Sequence, residues 1–107
     1  MLTKDSKTVL YVMYREYLSR RKNNVSRSRA KSFGSASMIR ESLFRDWSLE
    51  DLEDSLRELG RNGFLNNFYA DDTVCECLFT DSAISIVENQ KKDILLNVAN
   101  FVSKFIP

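Results

Sequence analysis

The chain has 107 residues, 43% of them hydrophobic and 29% charged, with a net charge of +1. That is one domain's worth of sequence, long enough to bury a core without disulfides or metals. Three Gly, one Pro and no His exclude collagen-like folds, argue against turn-rich all-β folds, and remove every His-dependent nucleophilic site.

A first helix is expected over 6–21, opened by Ser6 as N-cap, with Val9, Leu10, Met13, Tyr17 and Leu18 on one apolar stripe. Residues 22–37 read as a basic loop in which only Val25, Ala30, Phe33 and Ala36 are apolar. A short helix over 38–45 follows, opened by Ser35 or Ser37. It offers Met38, Ile39, Leu43 and Phe44 to the core, and Asp46-Trp47 connects it onward.

The clearest helix runs over 48–62. Ser48 with Asp51 three residues on resembles a capping box, and Glu50 and Asp51 suit the positive end of the helix dipole. Leu49, Leu52, Leu56 and Leu59 make a single buried face. Gly60 or Gly63 ends it. A hairpin over 64–79 turns at Asp71-Asp72. Thr80 or Asp81 then opens a C-terminal helical region over 81–106, first with Ala83, Ile84, Ile86 and Val87.

Charge is divided between the halves. Residues 1–47 carry eleven basic and four acidic side chains; residues 48–107 carry five and eleven. Such asymmetry marks either a nucleic-acid partner for the basic half or two halves whose fields cancel.

The order of elements resembles a winged helix-turn-helix domain of small bacterial or phage type, including the YjcQ-like family. The resemblance is carried by residues 48–65, by the wing at 69–73 and by the exit at 78–81, and covers about residues 6–90. It implies one domain over 1–107, mainly α with a small β-hairpin and an added C-terminal helix. Residues 38–45 and 48–62 become the helix-turn-helix pair, the second reading bases in the major groove. The implied function is a cytoplasmic transcriptional regulator that binds double-stranded DNA. Arg20, Arg21, Lys22, Arg27, Arg29, Lys31, Arg40 and Arg45 are the candidate phosphate contacts. Ser55, Arg57 and Arg61 are the candidates on the recognition-type helix.

That helix departs from a good DNA reader. Away from the leucines it carries Glu50, Asp51, Glu53, Asp54 and Glu58 against Arg57 and Arg61, and the wing tip is Asp71-Asp72. Acidic groups repel phosphate, although they can accept from cytosine. The alternative reading is a winged helix used for protein–protein contact, its acidic helix facing a basic partner.

Strand alternation places Cys75, Cys77 and Phe79 inward. Two Cys without His cannot complete a typical zinc site, and no cofactor is expected. Tyr11, Tyr14 and Tyr17 read as packing residues. No catalytic constellation or Gly-rich phosphate loop is present, so an enzyme is not expected. Neither a membrane span nor a signal peptide is found. Ile94, Leu95, Val98, Phe101, Val102, Phe105 and Ile106 form a broad apolar sector, read as a homodimer seam.

Overall fold

Thr3, rather than Ser6, opens the first helix. In the computed structural model, which describes residues 2–89, α1 spans Lys4–Lys22 and the Thr3 hydroxyl accepts the Ser6 amide at 3.2 Å. Ser6 is fully buried one turn inside, where its hydroxyl donates to Glu58. Both residues are good caps; Ser6 is drawn to a carboxylate instead. At the other end Asn24 takes φ 67°, and the amides of Asn24 and Val25 donate to the carbonyls of Arg21 and Arg20. That is a Schellman closure with Asn in the left-handed position.

The expected loop over 22–37 holds more structure than its composition suggests. It contains the one-turn helix α2, Arg27–Ala30, and a short extended piece. Ser32 bridges Leu78, the Phe33 amide donates to the Cys77 carbonyl at 2.9 Å, and the Phe79 amide to Lys31 at 2.8 Å. Buried Ala30 and Phe33 anchor the segment. Two apolar contacts and a strand pairing outweigh its polar composition.

Helix α3 spans Ala36–Leu43, its Ser35 cap accepting the Met38 amide at 3.2 Å. Ala36, Ile39 and Phe44 enter the core, but Met38 stays 62% exposed, contrary to expectation. It lies against Gly34 at the mouth of the element. After the Phe44–Trp47 edge contact at 5.0 Å, α4 covers Leu49–Arg61 under a Ser48 cap. Leu52, Leu56 and Leu59 are fully buried. Leu49, in the first turn of α4, is 39% exposed. Gly63, at φ 83°, closes α4: its amide and that of Phe64 donate to Gly60 and Leu59.

The hairpin pairs β1, Leu65–Ala70, with β2, Thr73–Phe79, antiparallel. Asp71 and Asp72 both have positive φ, 51° and 61°, which a two-residue type I′ turn requires. Phe68 pairs with Glu76 while Tyr69 pairs with Val74, so Cys75 is the extra residue of a bulge. The bulge reverses the alternation. Cys77 and Phe79 point inward as expected, but Cys75 is exposed and Val74 takes its place inside.

Phe79 is the hub of the core. Its ring meets those of Tyr14, Tyr17 and Phe33 at 6.5, 6.2 and 6.1 Å. Helix α5, Asp81–Asn89, starts where the Thr80 hydroxyl accepts the Ala83 amide, and closes the core with Ala83, Ile84 and Val87. Ile86 faces out. A first helix, a strand-like piece, two helices and a hairpin, in that order, make this a mainly α, winged-helix-like fold.

Candidate functional site

Helix α4 has three kinds of position. Leu52, Leu56 and Leu59 are buried, whereas Leu49 is 39% exposed. Glu50, Asp51, Asp54 and Arg61 are exposed. The rest are engaged inside the domain. Ser55, a candidate DNA contact, is 4% exposed. It stands three residues after Leu52 and four before Leu59, which puts it on the buried side. It cannot face a groove of DNA.

Arg57 holds the wing. Its guanidinium donates to the Asp72 carbonyl, pairs with Glu53 at 3.4 Å, and lies over the Tyr69 ring at 5.0 Å. Glu53 in turn accepts the Val74 amide at 3.3 Å. The hairpin is therefore fastened across residues 53–57 of α4, and its tip, Asp71-Asp72, extends the acidic surface of the helix.

Glu58 reaches the start of α1. It accepts from the Thr3 hydroxyl at 2.7 Å, the Thr3 amide at 2.9 Å and the Ser6 hydroxyl. These donors, Ser6 foremost, bring its pKa down from 4.5 to about 2. The negative charge also sits at the positive end of the α1 dipole. Nothing in the local sequence around Glu58 announces this clasp, because its partners are more than fifty residues away.

Asp5 and Asp46 extend the acidic surface beyond α4. With Trp47, Ser48 and Asp51 they line an open groove where the α3–α4 connector meets α1. Sequence reading missed both, since each lies in a half of the chain that is basic overall. Among the described residues, no group of three or more Cys, Asp or Glu is arranged to hold a metal ion. Burial, with the Glu76 charge beside it, pushes the Cys77 thiol up to about 12.

The candidate phosphate contacts divide into two sets. Arg20, Lys31, Arg40 and Arg45 have internal tasks. Arg20 bonds Glu16, Ala30 and Ser32; Lys31 pairs with Asp81 at 2.9 Å; Arg40 donates to the Trp47 carbonyl at 2.7 Å; the exposed Arg45 donates to the Glu41 backbone carbonyl at 2.9 Å. Arg21, Lys22, Arg27 and Arg29 are each exposed, Arg21 also donating to the Val25 carbonyl. The dimer-seam residues Ile94, Leu95, Val98, Phe101, Val102, Phe105 and Ile106 lie outside the described residues.

Compared with protein-family models, curated proteins and solved structures, the chain matches none. No helix among the described residues is long and apolar enough to cross a membrane.

Proposed function

We propose that this chain is a winged-helix protein-docking module whose α4–wing face receives a basic segment of a partner protein. One observation carries the reading: the surface such a fold ordinarily turns to DNA presents Glu50, Asp51, Asp54, Asp71 and Asp72 to solvent. Of its two arginines, Arg57 is spent on the wing. Base reading by Ser55, Arg57 and Arg61 is thereby reduced to Arg61.

Electrostatics favours a basic protein segment over DNA on this face. A phosphate approaching to 4 Å of a carboxylate meets roughly 1 kcal/mol of repulsion in water, repeated at each acidic position. A Lys- or Arg-rich segment meets attraction of the same size, and complementary fields speed association. Homodimerisation through residues 94–106 is a further part of the proposal and is carried by the sequence alone. Sedimentation equilibrium at twice 12.4 kDa supports it.

The docking test is a titration with a fluorescent oligo-arginine peptide. Wild-type protein binds it, and salt weakens the binding. Glu50→Lys with Asp54→Lys abolishes binding, whereas Glu41→Lys with Glu88→Lys leaves it. Equal binding by the two charge-reversed proteins overturns the reading.

A further inference from the structure

Helix α1 has a solvent side that the docking face does not use. At ~100° per residue, Lys4, Arg15 and Lys22 fall within ~20° of one another, and Lys7 stands ~60° to one side. All four are exposed. Tyr11 and Leu18 lie between them, half-buried against the core. The two carboxylates of α1 are placed elsewhere. Asp5 lines the groove beside Trp47, and Glu16 pairs with Arg20 at 3.0 Å. The stripe therefore carries no carboxylate.

It does not stop at the end of α1. Asn24 turns the chain into α2, where Arg27 and Arg29 are also exposed, Arg27 on a groove shared with Asp81 and Glu88. Among the described residues, no ion pair holds Lys7, Arg15, Lys22 or Arg29.

We propose that this stripe binds the phosphodiester backbone of nucleic acid, on the outside of α1 rather than on α4 and the wing. The charges stand in a row on an open helix surface, without a recess for a compact ligand. A row of phosphates is the polyanion that matches a row of cations. From Lys7 to Lys22 the stripe runs about 22 Å, most of the ~34 Å of one duplex turn.

An anionic membrane fits less well. An interfacial helix inserts large exposed apolar side chains, and among the described residues those are Met38, Leu49, Phe68, Tyr69 and Ile86, none on α1. The inference goes beyond the docking reading, since the two surfaces share no residue. Together they describe a module that holds a basic protein segment against nucleic acid.

The test uses the full chain and fluorescence anisotropy. The probes are mixed-sequence duplex DNA, mixed-sequence single-stranded RNA, and vesicles of phosphatidylserine and phosphatidylcholine. Binding to nucleic acid is expected at about 50 mM salt, with log K falling against log salt by ~0.9 per contact for the duplex and ~0.7 for single strands. The steeper and tighter probe identifies the backbone. The triple variant Lys7→Gln, Arg15→Gln, Lys22→Gln changes only exposed side chains. It loses about three contacts of slope and binds at least about tenfold more weakly at that salt. Glu50→Lys with Asp54→Lys, which breaks the docking face, retains nucleic-acid binding. The inference is overturned if neither nucleic acid binds, if the triple variant binds like wild type, or if only the vesicles bind.

Discussion

The guanidinium of Arg20 lies over the ring of Phe33, 4.4 Å from its centroid. From there it donates to the carbonyls of Ala30 and Ser32, at 3.2 and 2.8 Å, and pairs with Glu16 at 3.0 Å. One side chain thus ties α1 to the segment that adds a third strand-like piece to the hairpin. Arg20→Met keeps the apolar stem and removes the donors. It should cost about 1.5–3 kcal/mol, the range for hydrogen bonds to a charged group. Arg20→Lys should rescue little, because a point charge cannot serve three acceptors and stack on a ring. Urea denaturation measures this; a loss below about 0.5 kcal/mol would return Arg20 to the surface set.

The Glu58 clasp predicts a pH dependence. Its folded-state pKa, about 2, lies below the ordinary 4.5, so folding favours the ionised form. The stabilisation is complete above pH 4.5 and is lost as pH falls through that window toward 2. Urea midpoints for wild type should decline over that range. Glu58→Gln should start lower and change less. Parallel curves for the two proteins would show that the clasp does not hold the charge.

The wing turn carries strain that can be relieved. Asp71 and Asp72 occupy left-handed backbone, φ 51° and 61°, where a residue with a Cβ is disfavoured by roughly 1–2 kcal/mol. Asn-Gly is the sequence such a turn prefers. Asp71→Asn with Asp72→Gly should raise stability by about 1 kcal/mol, and Arg57 keeps its carbonyl acceptor because only side chains change. A lower melting temperature would mean that the carboxylates themselves support the turn.

Two leucines seven residues apart share one face of α4 and test how deeply each turn of it is buried. Leu56 is fully buried and Leu49 is 39% exposed. Leu56→Ala should cost about 2–5 kcal/mol, and Leu49→Ala well under half of that. Equal losses would contradict the placement.

Much of the fold was legible because short-range rules decide it. Ser35, Ser48 and Thr80 cap helices as their positions suggest, and Asp71-Asp72 turns the hairpin. The failures share a cause, which is a partner far away in sequence. Ser6 loses its capping role to Glu58. Residues 31–33 look like loop until β2 is beside them. Cys75 turns outward because the ladder is out of step by one residue, which no alternation pattern reports.

The site was half legible for the same reason. The acidic face of α4 is visible in the helical spacing of Glu50, Asp51 and Asp54. The spacing of Lys4, Arg15 and Lys22 is equally regular, but the net charge of the N-terminal half does not show that they share a face. That Ser55 is buried and Arg57 is occupied follows only from the packing of α1 and the wing on α4.

Amide chemical-shift mapping locates the acidic α4–wing face and the basic α1 face most directly. Uniformly 15N-labelled protein is titrated with oligo-arginine. The shifts should concentrate at Glu50, Asp51, Asp54, Asp71 and Asp72 and leave Lys7, Arg15 and Lys22 unmoved. Shifts spread evenly over the exposed carboxylates, Glu41 and Glu88 included, would contradict a docking face on α4 and the wing.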